Sequence, residues 1–479
     1  MLFNSFDFIL FFIAVVILHY TLPHKCRWVM LLIASCIFYM CWRAELIVLI
    51  LFSTFINWGI SLLIDRHRKS GKHLLILSLI INFGLLFIFK YMMFINHTFM
   101  AFYEYMGWNY PINDFNIILP MGISFYTFQA ASYTIDIYRN SYKPERNYFK
   151  FTLFVTFFPQ LVAGPIERAD RLLNQLFTVK KVNVNNFSAG IKLMIMGYFK
   201  KIVIADRAAV LVDAVFNNCQ QYTGLSYIIA ALFFTFQIYG DFSGYSDIAR
   251  GCARILGIEL MYNFDRPYFS KSIKEFWRRW HISLSSWLRD YVYIPLGGSR
   301  CSRLRKYFNL MVTFLVSGLW HGANWTYVLW GGLHGVYQVI GDVKNMIIPK
   351  WDNFILNVLR SIITFILVVF AWIIFRANTI SDSFYIISNL FNDITKIVDI
   401  QYMYEIFNNL GLQMYEIIIV IGAIAVLVFS EAISFKLDIH KLMDKAPFVI
   451  RFAYYYILVI IIFGMGVFSG GGQFIYFQF

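Results

Sequence analysis

Residues 276–290 read FWRRWHISLSSWLRD, and residues 317–325 read SGLWHGANW. Each stretch places a histidine, His281 or His321, directly after a tryptophan, within a chain that is mostly apolar. An imidazole in an apolar surrounding needs a physical reason, because an ionised side chain is costly away from water. The two histidines are therefore the first candidates for a functional site.

The rest of the chain has the composition of a polytopic membrane protein. Of its 479 residues, 59% are hydrophobic and 14% are charged, with a mean hydropathy of +0.62, whereas a soluble domain is about 45–50% apolar. At about 20 residues per crossing, the apolar runs predict an all-α protein with about 11 transmembrane helices. We expect a single integral-membrane domain over residues 1–479.

The formal net charge of +14 would suggest a nucleic-acid partner in a soluble protein. Here the basic residues lie in short connections beside apolar runs, which is the positive-inside pattern, so we predict no nucleic acid. Anionic lipid or an anionic substrate is an additional possibility. The basic first and third connections, around residues 24–27 and 65–73, are predicted to be cytoplasmic, which places the N-terminus outside.

The segment from Tyr239 to Lys306 contains no clean 20-residue apolar window, although tryptophans, tyrosines and arginines are mixed throughout it. Its composition predicts a segment that lies in the membrane interface or dips into it. Within it, Ser272 and Glu275 form a capping box, S-x-x-E, that predicts a helix starting near Ser272.

At 100° per residue this predicted helix has an apolar stripe and a charged face. The stripe is formed by Ile273, Phe276, Trp277, Trp280, Leu284, Trp287 and Leu288. His281 falls at the border of the two faces, which predicts a surface helix with its tryptophans in the interface. From this position alone, the His281 imidazole is expected only to donate a structural hydrogen bond to a nearby carbonyl group.

His321 has a different setting. It follows a run from Asn309 to Trp320 that is apolar except for three residues, so His321 is predicted to lie at membrane depth. A charge there costs about 2.5–3.5 kcal/mol, and intramembrane ionisable residues are usually functional. Two converging imidazoles could perform the proton transfers of an acyl transfer. His334 is a weaker candidate, for packing or support.

Six cysteines are scattered along the chain, without a C-x-x-C pair and without a histidine at ligand spacing. This spacing predicts no metal site and no disulfide framework.

With these residues in view, the sequence resembles the membrane-bound O-acyltransferase family. Within that family it is most similar to the bacterial branch typified by the membrane subunit of alginate O-acetyltransferase. The resemblance covers essentially the whole chain. It depends on PMGISFYTFQAASYTIDIYR from Pro120, FFPQLVAGPIER from Phe157, QIYGDFSGYSDIARG from Gln237, NFDRPY from Asn263, FWRRWHISLSSWLRDYVYIPLGGSR from Phe276, SGLWHGANWTYVLWGGLHG from Ser317 and the terminal FIYFQF.

The resemblance implies an O-acyltransferase in a bacterial cell membrane, with short helices around a central tunnel. Acetyl-CoA would enter from the cytoplasm as the acyl donor, and no cofactor would be bound. The invariant histidine of the family corresponds to His321 and its second polar site position to His281. An extracytoplasmic SGNH-type partner would complete the transfer to the hydroxyl groups of an exopolysaccharide or a cell-wall glycan.

Further polar and aromatic residues are candidates for lining the tunnel or binding coenzyme A. Asp241, Ser243, Tyr245 and Asp247 could line the tunnel or could be buried hydrogen-bonded structure. Trp320 and Asn324 flank His321 and are candidates for the tunnel wall. A basic cluster would suit the phosphates of coenzyme A, or would equally anchor the chain by the positive-inside rule. The cluster consists of Arg278, Arg279, Arg289, Arg300, Arg303, Arg305 and Lys306.

Two other functions remain open from the sequence. One is transfer of D-alanine from a carrier protein to teichoic acid. The other is a proton-coupled transporter, although transporters usually show repeated halves and none is found here. Neither the acyl chain nor the glycan is encoded in a motif of this sequence.

Overall fold

The computed structural model describes residues 1, 3–114, 117–162, 164–347, 353–435, 446–468 and 474. Its described residues form helices and connections, without a strand in these ranges. They divide into two compact units. The first unit comprises residues 1–191 and 249–261, and the second comprises residues 192–248 and 262–479. The prediction of one integral domain stays a prediction.

The first unit is built from short and medium helices. Its helices are α1 Phe6–Thr21, α2 His24–Met40, α3 Ile47–Arg66, α4 Gly71–Leu86, α5 Met92–Tyr105, α6 Ile123–Tyr138, α7 Tyr148–Thr156, α8 Phe158–Leu161, α9 Ala169–Leu176 and the first half of α10 Val184–Tyr198. A π-helical segment, Phe87–Tyr91, makes α4 and α5 continuous.

A buried polar cluster joins three helices of this unit. The Oδ1 atom of Asn57 on α3 accepts hydrogen bonds from Ser78 Oγ (2.9 Å) and Asn82 Nδ2 (2.9 Å) on α4. It also accepts one from Thr134 Oγ1 on α6, at 3.0 Å. All four side chains are buried. Because lipid offers no competing partners, such bonds between helices hold them in register.

The basic connection after α3 meets the connection after α6. Arg68 donates to the carbonyl of Ile137 at 2.8 Å and to Asn140 Oδ1 at 3.1 Å. These two connections therefore lie at the same end of the first unit, as the alternation of predicted spans requires.

The second unit contains the remaining helices and both histidine-bearing stretches. It includes the second half of α10, α11 Asp206–Asn217, most of α12 Leu225–Ile255, α13 Ile273–Arg279, α14 Ile282–Leu288, α15 Arg303–His321, α16 Trp325–Ile347, α17 Phe354–Arg376, α18 Ile380–Ser388, α19 Ile400–Asn409, α20 Met414–Ile433 and α21 Phe448–Met465. Two segments, Phe199–Ala205 and Arg289–Tyr293, are π-helical.

Six helical stretches of the described residues are long and apolar enough to cross a membrane. They are Ala44–Arg66, Arg68–Tyr105, Leu225–Ile255, Phe354–Arg376, Met414–Ile433 and Phe448–Met465. The chain is therefore a multi-pass helical membrane protein, while the count of about 11 spans is not confirmed.

One of these stretches bears on the prediction for the segment that starts at Tyr239. Residues 239–255 are not a separate segment but the second half of α12, a continuous helix of 31 residues that is a candidate span. The interfacial position predicted for the rest of the segment stays a prediction.

The aspartates of α12 interrupt the apolar pattern but are paired inside the protein. Asp241 lies 2.6 Å from Lys201 Nζ, and Asp247 lies 2.8 Å from Lys200 Nζ. An ion pair offsets the free-energy cost of placing a charge in an apolar surrounding. A hydropathy scale penalises each aspartate as if it were unpaired.

The terminal FIYFQF block lies outside the described residues, except for Phe474. The ring of Phe474 is buried, 4.4 Å from that of Tyr245 and 5.9 Å from that of Phe242.

A buried carboxyl group in the first unit gives this unit a pH-dependent stability. Glu167 is fully buried in the connection before α9, where it accepts a hydrogen bond from the backbone N–H of Met261. The guanidinium of Arg171 is 3.9 Å away, beyond hydrogen-bond distance. Burial raises the pKa of Glu167 from 4.5 to about 7. The folded state therefore binds a proton that the unfolded chain has lost between these two pH values.

The replacement Glu167→Gln is expected to remove this pH dependence. The amide oxygen still accepts the Met261 N–H, but no ionised group has to stay buried. The variant should be more stable than the wild type at pH 8 by about 3 kcal/mol, and the difference should vanish at pH 4.5. Thermal unfolding in detergent measures it, with the exposed Glu104→Gln as control. A difference of equal size at both pH values would contradict the assignment.

Candidate active site

The chain turns sharply at His281. Helix α13 ends at Arg279, Trp280 is extended, and His281 has left-handed backbone angles (φ +43°) before α14 starts at Ile282. The serine half of the predicted capping box is confirmed, since Ser272 Oγ accepts from the Glu275 N–H at 3.1 Å. The Glu275 carboxylate accepts from the Lys271 N–H at 2.9 Å instead of from the Ser272 N–H. The prediction of one continuous helix through residues 273–288 is wrong.

A distant segment imposes this break. The N–H of Asp265 donates to the carbonyl of Arg279 at 2.9 Å, and the N–H of Ile282 donates to the carbonyl of Asn263 at 3.0 Å. These two bonds on either side of His281 replace bonds that a continuous helix would make. The partners that cause the break are residues 263–265. The helix propensity of residues 273–288 therefore does not predict it.

The side chain of Asn263 fixes the same turn. Its Oδ1 atom accepts from Ser283 Oγ at 2.7 Å and from the Ser283 N–H at 3.3 Å. Its Nδ2 atom donates to Ser246 Oγ on α12 at 3.2 Å. All three side chains are buried. The three-residue network of Asn263, Ser246 and Ser283 therefore ties the turn at His281 to α12.

His281 is fully buried and does not lie at the border of a surface helix, so that prediction is wrong. Its ring centroid is 4.5 Å from that of Phe242 and 5.7 Å from that of Trp320. Burial lowers the pKa of His281 to about 3, so the imidazole is neutral at physiological pH. The tryptophans predicted at the interface, Trp277, Trp280 and Trp287, are also buried.

Close packing of two helices positions His321 at the end of α15. A Cβ atom on Gly318 would lie 2.2 Å from the carbonyl oxygen of Tyr327 on α16, and one on Gly331 would lie 2.3 Å from that of Phe314. Only glycine allows the backbones to approach so closely. The contact at Gly318 is three residues before His321, so it sets the position of the histidine.

The structure brings the two predicted histidines together. His321 is buried, and its ring centroid is 6.3 Å from that of His281 with an interplanar angle of 63°. The rings of Trp330 (5.1 Å), Trp320 (5.1 Å) and Phe375 (5.6 Å) also surround His321. Trp320, a candidate for the tunnel wall, thus contacts both imidazoles.

An aromatic box lies next to His321 and consists of the rings of Trp280, Trp330, Trp372 and Phe375. Trp330 and Trp372 are stacked, with centroids 5.6 Å apart and an interplanar angle of 17°. Trp280 and Phe375 are 5.1 and 5.2 Å from Trp372. Only Trp280 lies in the two stretches that the sequence singled out as central. Trp372 belongs to the apolar α17, where the sequence pattern predicts a lipid-facing or packing residue as readily as a site residue.

His334 has a supporting position. Its Nδ1 atom accepts a hydrogen bond from Trp277 Nε1 at 3.2 Å, and its ring is 4.9 Å from that of Trp330. It therefore packs against the aromatic box from the side of α13.

The polar candidates on α12 are engaged in buried structure. Lys201 Nζ lies between Asp241 (2.6 Å) and Asp206 (2.7 Å), and it is 5.3 Å from the ring centroid of Tyr245. Ser243 is buried as well. Of the two alternatives, the ion pairs of Asp241 and Asp247 favour a structural role for these aspartates.

The remaining candidates lie at the edges of the site. Asn324 caps α16: its Oδ1 accepts from the Thr326 N–H at 3.1 Å, and its Nδ2 donates to the Asn378 carbonyl at 2.9 Å. Among the arginines, Arg278 and Arg289 are exposed. Arg279 is paired with Glu275 at 2.7 Å.

Comparison with known proteins agrees with the resemblance seen in the sequence. Residues 139–387 match the membrane-bound O-acyltransferase family. The chain is 41% identical to a probable alginate O-acetylase of Pseudomonas aeruginosa over 385 residues, which cover 79% of this chain and 73% of the relative. It is 35% identical to a peptidoglycan O-acetyltransferase of Helicobacter pylori over 391 residues, which cover 75% of this chain and 73% of the relative.

A more distant similarity is to a teichoic acid D-alanyltransferase of Streptococcus thermophilus, with 27% identity over 338 residues. This match covers 60% of the present chain and 77% of the relative.

The substitution Asn263→Ala is expected to loosen the turn at His281. It removes the oxygen that accepts from the Ser283 N–H and from Ser283 Oγ, and the loss of an acceptor inside the protein costs about 1–3 kcal/mol. Hydrogen exchange of the α14 amides should become faster, and the melting temperature should fall. Ser246→Ala is the matched control, because it removes only one bond of the network and should have a smaller effect. Unchanged exchange in Asn263→Ala would show that the network does not hold the turn.

Proposed function

Because the chain belongs to the membrane-bound O-acyltransferase family, we propose that this O-acyltransferase moves an acetyl group from cytoplasmic acetyl-CoA across the membrane. The final acceptors are the hydroxyl groups of an exopolysaccharide or a cell-wall glycan. The observation that carries the proposal is the pair of buried imidazoles of His281 and His321, 6.3 Å apart.

His321 is the general base in this proposal. Its imidazole takes the proton of an acceptor hydroxyl while the hydroxyl oxygen attacks the thioester carbon. The tetrahedral intermediate then collapses, the carbon–sulfur bond breaks, and His321 returns the proton to the thiolate of coenzyme A. His281, which burial keeps neutral, assists with positioning or proton transfer. The net reaction converts a thioester and an alcohol into an ester and a thiol.

The names of the relatives support acetyl as the acyl group. The alginate and peptidoglycan O-acetylating relatives are 41% and 35% identical over three quarters or more of this chain. Transfer onto a glycan outside the cell requires an acceptor on the far side of the membrane. We propose that an extracytoplasmic SGNH-type protein receives the acetyl group there and completes the transfer.

The orientation follows from the positions of the basic residues. With the basic connections at residues 24–27 and 65–73 in the cytoplasm, the N-terminus lies outside an inner membrane. The exposed Arg278, close in sequence to the turn at His281, offers positive charge to the phosphates of coenzyme A. Arg289 is exposed as well, but it is paired with Asp290 at 2.8 Å.

The similarity to a teichoic acid D-alanyltransferase supports a second candidate, D-alanyl transfer from a carrier protein. Membership of an acyltransferase family removes the basis for the transporter alternative. Supplying membranes that contain the protein with either labelled acetyl-CoA or a labelled D-alanyl carrier-protein thioester distinguishes the two transfers. Incorporation of label from only the second donor would replace the acetyl proposal.

His321→Ala is expected to abolish glycan acetylation in cells, with a loss of at least about 100-fold, because it removes the general base. His281→Asn, which tolerates the left-handed backbone at this position, should cause a smaller loss. Acetyl incorporation per amount of inserted protein is the measurement, and the exposed His73→Ala serves as control. Wild-type acetylation by His321→Ala would reject the assignment of the base.

A further inference from the structure

We propose that the indole N–H of Trp330 is a catalytic hydrogen-bond donor that stabilises the negatively charged oxygen of the tetrahedral intermediate. This inference depends on the proposed acyl transfer, because only that reaction forms such an oxygen beside His321. It adds a residue with a defined chemical role to the histidine pair.

The first observation is a group of buried donors without acceptors. The Nε1 atoms of Trp280, Trp330 and Trp372 are buried, and none has a hydrogen-bond acceptor within the part of the chain that the structure describes. Trp277 differs, because its Nε1 donates to His334 at 3.2 Å. Trp58 in the first unit donates to the carbonyl of Glu145 at 3.0 Å. A buried donor without an acceptor is costly and rare, so three in one aromatic box indicate that an acceptor arrives with the substrate.

The second observation singles out Trp330 within the box. Its ring centroid is 5.1 Å from that of His321, and the two rings are perpendicular, at 89°. A base and an oxyanion donor must both lie within a few ångströms of the same carbonyl group. Within the box, Trp330 is the tryptophan with this proximity to the proposed base, and Trp372 is its stacking partner. Trp320, outside the box, has the same centroid distance of 5.1 Å from His321, and its ring also contacts that of His281.

The third observation is that Trp330 is held rigidly. The next residue, Gly331, forms the close contact with α15 near Gly318, where a Cβ atom would meet the Phe314 carbonyl at 2.3 Å. Stacking on Trp372 fixes the plane of the indole. Oxyanion stabilisation is effective when the donor is already in place and needs no reorganisation during the reaction.

Two obvious alternative donors are already engaged. The side-chain amide of Asn324, three residues after His321, donates to the Asn378 carbonyl at 2.9 Å. The amide of Asn263, which borders the turn at His281, donates to Ser246. The indole N–H is a donor only and cannot accept a proton, so it suits a developing negative charge on oxygen.

In the proposed step, the acceptor oxygen forms a bond to the acyl carbon, and the electron pair of the carbonyl π bond moves onto the carbonyl oxygen. Trp330 Nε1–H donates to that oxygen while His321 holds the proton taken from the acceptor. Collapse of the intermediate restores the carbonyl, expels the thiolate and releases the proton from His321 to sulfur. Trp330 neither gains nor loses a proton.

The test replaces Trp330 by β-(3-benzothienyl)alanine, which has sulfur in place of the N–H and nearly the same shape. In membranes containing the full chain and supplied with radiolabelled acetyl-CoA, kcat should fall about 100-fold, the effect of removing one oxyanion donor. KM for acetyl-CoA should change less than about threefold. The same replacement at Trp277 is the matched control, since it removes a structural hydrogen bond. That control should lower the melting temperature and leave kcat within about threefold.

A Trp330 replacement with kcat within threefold of wild type would overturn the proposal, and so would a change confined to KM. Equal losses at Trp330 and Trp277 would also overturn it, because they would indicate a general effect of altering the aromatic packing. If the wild type itself transfers no acetyl from acetyl-CoA, or His321→Ala remains active, the proposed function fails instead. The wild-type and His321→Ala measurements therefore separate the two failures.

Discussion

A buried amide in an apolar protein has to find its hydrogen-bond partners inside the protein, and at Asn263 this requirement shapes the candidate active site. The amide binds Ser246 on α12 and Ser283 on α14, and the backbone beside it interrupts what would otherwise be a longer helix. Water or lipid cannot replace these bonds. The left-handed turn at His281, and with it the burial of the imidazole, depends on them.

The second histidine is placed by a steric constraint of a different kind. Gly318 and Gly331 allow α15 and α16 to approach until one backbone touches the other, and His321 is carried at the end of α15. The aromatic box then packs against the imidazole on the side of Trp330 and Phe375. Two independent constraints, one polar and one steric, thus bring together residues that are 40 positions apart. Each histidine is thus held by a constraint of its own, and catalysis by fixed groups requires such positioning.

Sequence periodicity and composition predicted the elements whose causes are local. The cap at Ser272 depends on neighbouring residues, and the Ser272 hydroxyl indeed accepts from the Glu275 N–H. The break at His281 and the continuity of α12 were not predictable in this way. The first depends on residues 263–265. In the second, the aspartates that interrupt the apolar pattern of α12 are paired with lysines 200 and 201, which precede α12 in the sequence. The family resemblance predicted that the two histidines share one site. No spacing between them in the sequence predicted it.

The positive φ of His281 restricts which amino acids this position can accept. A left-handed backbone disfavours most L-residues and excludes β-branched ones in practice, whereas glycine, asparagine and aspartate tolerate it. The backbone conformation therefore restricts position 281 to a few amino acids, independently of the reaction that the site performs. A protein engineer who wishes to delete the imidazole while preserving the architecture would choose asparagine and avoid valine or threonine.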